Sequence, residues 1–99
     1  MEINKTQNGT DLTVALDGRL DVTTAPKLDA ALGSLDDVLD LVIDMATLEY
    51  ISSAGLRVLM GALKTLNKNG GSLKIVGVSK ELWAVFELTG VIEILNVNA

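Results

Sequence analysis

The segment from Val38 to Met45 constrains the fold more than any other part of the chain. Its apolar residues are nearly continuous, with Leu39, Leu41, Val42 and Ile43 close together. Such runs are typical of a central β-strand that is covered on both faces by helices or lies between parallel neighbours, whereas half-solvated strands alternate. The run is far too short to cross a bilayer. We therefore expect a buried strand in the middle of a layered α/β domain.

A hairpin is predicted before this strand. Met1 to Gln7 alternates weakly, and Asn8-Gly9 is a strong signal for a tight turn between two strands. Leu12 to Asp17 then alternates cleanly, so that every second residue is apolar. We expect these segments to pair as an antiparallel hairpin at the edge of the sheet, with Gly18 ending the second strand.

One helix is predicted before the central strand in the sequence, and a second helix is predicted after it. The first has Thr23 or Thr24 as its cap and Pro26 in its first turn. The second runs from Ser53 to about Lys68 and stops at Asn69-Gly70-Gly71. Apolar residues recur at helical spacing in both. The expected core residues are Leu28, Ala31, Leu32 and Leu35 in the first helix, and Leu56, Leu59, Met60, Leu63 and Leu66 in the second.

The C-terminal third continues the alternation of strands and helices. Leu73 to Val78 is an apolar strand, and Ser79 can cap a helix from Lys80 to Thr89 that Gly90 terminates. Val91 to Val97 is predicted as a last short strand. A hairpin followed by alternating helices and strands implies one α/β domain over residues 1–99, with a mixed sheet and right-handed crossovers.

Composition narrows the possible functions. The 99 residues contain no cysteine and no histidine, which removes thiolate zinc sites, the commonest general base and the commonest transition-metal ligand. A net charge of −5 argues against nucleic-acid binding through phosphate neutralisation and favours a protein partner. The N-terminus lacks a signal-peptide pattern. We expect a cytoplasmic protein without membrane insertion, metal or cofactor.

Catalysis finds little support in the residues. Asp21 and Asp44 fall near the ends of elements and could approach one another as paired carboxylates, but capping of local turns is the commoner role for such residues. Asn69-Gly70-Gly71 follows a helix instead of preceding one, so it fits a helix end better than a phosphate loop. We expect a binding protein with no catalytic residue.

Two serines at the start of the second helix are the main candidate site. Ser52 and Ser53 can each cap the helix, and a phosphate on either would lie in a favourable field. Gly55 in the first turn weakens the helix by roughly 1 kcal/mol relative to alanine. Its presence predicts close approach by a neighbouring backbone or a partner protein.

Several segments together resemble a known family. Glu49-Tyr50-Ile51-Ser52-Ser53-Ala54-Gly55-Leu56-Arg57-Val58-Leu59, preceded by Leu41-Val42-Ile43-Asp44, resembles the signature of the STAS domain. Gly18-Arg19-Leu20-Asp21-Val22-Thr23-Thr24-Ala25-Pro26 is similar to the stretch that leads into that family's first helix. The later segments from Asn69 to Ile75 and from Leu82 to Gly90 follow in the same order. The resemblance is strongest to the small bacterial anti-sigma factor antagonists.

The resemblance implies a partner-switching function. Such antagonists bind an anti-sigma factor that is also a serine kinase, and this frees the sigma factor. Phosphorylation at the start of the second helix ends the interaction, and a phosphatase restores it. It implies Ser53 as the phosphoacceptor, with Ser52 second. The implied partner-binding residues are Asp21, Thr23, Ser52, Ser53, Ala54, Gly55, Leu56 and Arg57.

The chain departs from the family pattern at two positions. Ser52 stands where relatives often have aspartate, and Ala54 stands where they have a second hydroxyl before the glycine. Phosphorylation at that second position is therefore excluded here. The alternative function is a STAS adaptor subunit of a lipid-transport or signalling complex, in which Ser53 only caps the helix.

Overall fold

The predicted hairpin is present at one edge of a four-stranded sheet. In the computed structural model, which describes residues 1–98, β1 (Glu2–Asn8) pairs antiparallel with β2 (Asp11–Leu20) across the turn at Gly9 and Thr10. The other elements are α1 (Ala25–Leu32), β3 (Asp40–Ile51), α2 (Ser53–Asn69), β4 (Ser72–Val76) and α3 (Lys80–Thr89). The strand order is β1-β2-β3-β4, with β2, β3 and β4 parallel to one another. The expected mixed α/β fold is confirmed.

The helices cover one face of the sheet. Leu12, Leu41 and Leu73 are in register across the three parallel strands and are buried. Because these strands are adjacent in chain order, right-handed crossovers place α1 and α2 on the same face. The fully buried side chains that the helices contribute to the core are Leu28 from α1, Leu59 and Leu66 from α2, and Leu82 and Phe86 from α3.

The opposite face of the sheet is open, which corrects the prediction that β3 is covered on both sides. Thr13 and Lys74 are exposed, and Val42 between them is half-buried. The strand therefore alternates in burial, although its sequence is almost continuously apolar. Leu39 precedes β3 and remains exposed.

Two strands are longer than predicted. β2 continues through Gly18 to Leu20 with irregular register on either side of the glycine, so the expectation that Gly18 ends it is wrong. β3 extends from Asp40 to Ile51, whereas its pairing with β4 stops at Asp44. The paired ends of β2 and β3 consequently project beyond β4.

The last predicted strand is reduced to a single bridge. Val97 pairs in parallel with Ile75, but the preceding residues form turns. Leu95 donates its N–H to the Val91 carbonyl at 2.8 Å, and Asn96 has a φ of 53°. This compact path buries both Leu95 and Val97, which an extended strand with its period of two residues would also bury. The apolar spacing alone does not separate the two conformations.

The helix boundaries agree with the sequence at most ends. α2 starts at Ser53 and ends before Gly70, and α3 has the predicted bounds between Ser79 and Gly90. α1 is shorter than expected, since it ends at Leu32 and Leu35 is buried from the turn that follows. None of the helices in the described part of the chain has both the length and the apolarity needed to span a membrane.

Candidate docking site

The projecting ends of β2 and β3 bring two segments together. The Ser52 N–H donates to the Leu20 carbonyl at 2.9 Å, so the residues that follow each strand start side by side. One segment is the turn before α1, Asp21–Thr24, and the other is the start of α2, Ser52–Arg57. We call these two segments the docking site. They contain every residue that the sequence predicted for partner binding.

The two serines have different roles in the structure. Ser52 is the cap of α2: its Oγ accepts from the Gly55 N–H at 3.3 Å, and its carbonyl accepts from the Leu56 N–H at 3.0 Å. Ser53 is the first helical residue and is exposed. Because Ser52 already supplies the side-chain cap, the Ser53 side chain does not have that role.

Gly55 lies against the core. A Cβ atom at this position would be 2.6 Å from Cγ and 2.8 Å from Cδ2 of Leu20, and 3.2 Å from Cγ1 of Ile51. A close approach is present as expected, but the neighbours are side chains of the same chain and not the backbone or partner protein that the sequence predicted. Leu56 is only 7% exposed. Gly55 and Leu56 therefore pack α2 against the sheet, and their expected role in partner binding stays a prediction.

The turn before α1 is held by reciprocal hydrogen bonds. The Asp21 Oδ1 accepts from the Thr23 N–H at 3.0 Å, the Thr23 hydroxyl at 2.7 Å and the Thr24 N–H at 3.1 Å. The Thr24 Oγ1 accepts from the Asp21 N–H at 2.8 Å and donates to the Arg19 carbonyl at 2.7 Å. This arrangement is a capping box. Thr24 occupies the cap position directly before α1, as predicted, but its side chain makes no cap hydrogen bond to the helix. The side-chain acceptor for the N–H groups of this turn is Asp21.

The charge of Asp21 is fixed by this turn. The Thr23 hydroxyl, together with the Thr23 and Thr24 N–H groups, holds the pKa of Asp21 below its ordinary value of 3.8 against an opposing desolvation. Asp44 is not part of the site. It is in register with Ala15, six residues before Asp21, and so lies roughly 20 Å away along the strand direction. The carboxylate pair does not form, and each aspartate instead accepts a hydrogen bond from the N–H two residues after it, in line with the commoner local role that the sequence favoured.

Exposed side chains around these segments include several that the sequence did not single out. Val22 is 71% exposed at the tip of the turn. Arg19 and Tyr50 are cross-strand neighbours, and the guanidinium of Arg19 lies 4.3 Å from the centre of the Tyr50 ring, a cation–π contact. The register that creates this pair follows an irregularity at Gly18. Of these three residues, only Val22 could have been recognised from the sequence, because it is an apolar residue between turn-forming residues.

An open groove runs from the docking site between α1 and α2. It has a volume of about 380 Å³. Its walls include Val22, Ala25 and Pro26 on one side and Ala54, Arg57 and Val58 on the other. The groove is therefore mainly apolar, and its charged lining groups are Arg57 and Asp29. Within residues 1–98 no group of three or more Asp, Glu, His or Cys side chains is placed to hold a metal ion.

Comparison with known proteins identifies the family. The family model for the STAS domain matches residues 2–99. The chain belongs to the STAS domain family. Among curated STAS proteins, the anti-sigma-B factor antagonist of Staphylococcus aureus is 37% identical over 86% of this chain and 81% of its own length. That of Bacillus subtilis is 35% identical over 100% of this chain and 92% of its own length. The resemblance stated from the sequence is confirmed.

Solved structures of STAS proteins share the fold. The anti-sigma factor antagonist from Mycobacterium paratuberculosis superposes with a TM-score of 0.84 at 26% identity, over 97% of this chain and 83% of the other. The Bacillus protein SpoIIAA in its phosphorylated form superposes with a TM-score of 0.77 over 99% of this chain and 92% of the other. At 16% identity the second comparison supports the fold alone.

Proposed function

We propose that this STAS protein is an anti-sigma factor antagonist that binds its partner through the docking site. In the unmodified state it binds an anti-sigma factor and so releases a sigma factor. Phosphorylation of Ser53 ends the interaction. The names of the relatives at 35% and 37% identity support the antagonist function, since both are anti-sigma-B factor antagonists.

The different positions of the two serines support the assignment of Ser53 as the phosphoacceptor. Ser52 uses its Oγ to cap α2, with the Gly55 N–H as donor. Ser53 is exposed beside it. A kinase can therefore reach the Ser53 hydroxyl without breaking the hydrogen bond that starts the helix. In Ser52 the hydroxyl oxygen that a kinase would modify is the one that accepts this hydrogen bond, which makes Ser52 the less suitable acceptor.

The charge added by a phosphate explains how one modification can end binding. A phosphoserine carries about −1.5 to −2 charges at neutral pH. Within the free protein this charge lies at the N-terminal end of α2, where the helix dipole is favourable. Against a partner it adds bulk and charge to a surface that already contains the ionised Asp21. The free protein therefore tolerates the phosphate, whereas the complex with the partner is destabilised by it.

Other proteins must add and remove the phosphate. Transfer from ATP moves the γ-phosphoryl group to the Ser53 Oγ, releases ADP and gives up the hydroxyl proton to a base of the kinase. The sequence contains no Gly-rich phosphate-loop pattern that would hold ATP. We therefore assign the transfer to the anti-sigma factor acting as a serine kinase, and the hydrolysis of the phosphoserine to a separate phosphatase.

Release of the sigma factor tests the antagonist function directly. The purified complex of anti-sigma factor and sigma factor is mixed with the unmodified protein and separated by size-exclusion chromatography. We expect free sigma factor, with this chain eluting together with the anti-sigma factor. If the original complex elutes intact and this chain elutes alone, the antagonist function is wrong and an adaptor role remains.

Two exposed apolar residues provide matched variants for this assay. Val22 is 71% exposed in the docking site, and Ile94 is 54% exposed on the C-terminal turns. Val22→Asp places a charge in the proposed interface, whereas Ile94→Asp places one outside it. We expect Val22→Asp to require about tenfold more protein for the same release, a typical loss for a buried interface contact, and Ile94→Asp to behave as the unchanged protein.

A further inference from the structure

Arg57 is placed one helical turn after Ser53 on the same side of α2. Residues four apart on a helix have Cβ atoms about 5–6 Å from each other. Long side chains in a helix lean toward its N-terminus, so an arginine at this position reaches back over the preceding turn. Arg57 is exposed, and no hydrogen bond of its guanidinium is described within residues 1–98. Its guanidinium is therefore free to meet a group attached to Ser53.

Two other charged groups near this end of the molecule, Asp21 and Arg19, already have partners. The Asp21 carboxylate accepts hydrogen bonds from its own turn, and Arg19 is stacked on Tyr50. Asp29 lies along the groove on the α1 side. Arg57 is thus the cation of the docking site that can change partner without breaking a contact seen in the structure.

We propose that Arg57 is the internal counterion of the Ser53 phosphate. A guanidinium and a phosphate form short, paired hydrogen bonds, because the planar fork of donors matches two phosphate oxygens. This inference rests on the proposed phosphorylation of Ser53 and specifies how that modification acts on the rest of the site.

Pairing of Arg57 with the Ser53 phosphate also changes the groove between α1 and α2. In the unmodified protein Arg57 lines this groove beside Ala54 and Val58 and offers a positive charge to an acidic partner group. After phosphorylation the same guanidinium turns toward Ser53. One modification then has two effects on the surface: it adds a dianion at position 53, and it withdraws the cation from the groove.

The ionisation of the phosphate tests this proposal by phosphorus NMR. Phosphoserine is encoded genetically at position 53, so no kinase is needed, and its second pKa is measured by titration. We expect Arg57→Gln to raise this pKa by about 0.5, because an exposed cation nearby favours the dianion. In 0.5 M salt the difference should shrink to less than half.

Lys64→Gln is the matched control. Lys64 is an exposed cation of α2 eleven residues after Ser53, about 16 Å along the helix. At that distance it is screened from the phosphate in 0.1 M salt. Its removal should leave the phosphate pKa unchanged within 0.1. Equal pKa values for Arg57→Gln and Lys64→Gln would overturn the counterion role, whereas failure of the kinase to modify Ser53 would instead refute the proposed function.

Discussion

Ser53→Ala is expected to abolish phosphate incorporation by the cognate kinase. Intact-mass spectrometry after incubation with the kinase and ATP should show one added phosphate on the unchanged protein and none on the variant. The physical reason is accessibility. Ser53 is exposed at the first position of α2, while the neighbouring hydroxyl is occupied by the helix cap and Ala54 has no hydroxyl at all.

Ser52→Ala is the control, and it separates a cap from an acceptor. Loss of the Ser52 hydrogen bond to the Gly55 N–H should lower the free energy of unfolding by about 1 kcal/mol, as for other caps. The variant should nevertheless accept one phosphate. Retained incorporation in Ser53→Ala, or its loss in a folded Ser52→Ala, would reverse the roles that we assign to the two serines.

Among the substitutions proposed here, Gly71→Ala is expected to lower the free energy of unfolding the most. Gly71 follows the end of α2, where its N–H donates to the Leu66 carbonyl at 2.8 Å. A Cβ atom there would overlap the carbonyl oxygen of Leu39 and lie 2.7 Å from its carbon. The neighbour is backbone, and the same oxygen accepts from the Ser72 N–H that leads into β4. The Leu39 carbonyl therefore cannot move without disturbing the sheet.

The expected decrease in the free energy of unfolding is about 3 kcal/mol, at the upper end of the range for overpacking. Urea denaturation followed by circular dichroism measures it. Gly61→Ala is the matched control, because a Cβ at Gly61 has no neighbour within 4 Å and the residue lies inside α2. That variant should be more stable by about 0.5–1 kcal/mol. A similar change in both variants would contradict the close contact at Gly71.

Elements with local signals could be predicted from the sequence. The hairpin follows from Asn8-Gly9, and the bounds of α3 follow from Ser79 and Gly90. In each case a few adjacent residues determine the backbone through turn geometry or capping. The threonine cap of α1 is predicted in the same way, and Thr24 occupies that position, although the side-chain acceptor in this turn is Asp21.

Features that depend on distant contacts could not be predicted in this way. The passage of β2 through Gly18 depends on pairing with β3, and the open face of the sheet depends on where the crossovers place the helices. At Val91–Val97 a turn and a strand bury similar residues, so apolar spacing did not distinguish them.

The docking site shows the same limit. The family resemblance named most of its residues but not Val22, and the separate roles of Ser52 and Ser53 depend on one hydrogen bond. The buried position of Gly55 depends on the Leu20 side chain of another strand. The sequence indicated that something approaches Gly55 closely; only the fold identifies what it is.

The affinity of the anti-sigma factor for two forms of this protein tests the central claim most directly. Isothermal titration calorimetry would compare the unmodified protein with protein that carries phosphoserine at position 53, under identical salt conditions. We expect binding of the phosphorylated form to be weaker by about tenfold or more, because the phosphate brings a dianion into the docking site. Equal dissociation constants for the two forms would contradict the proposed switch.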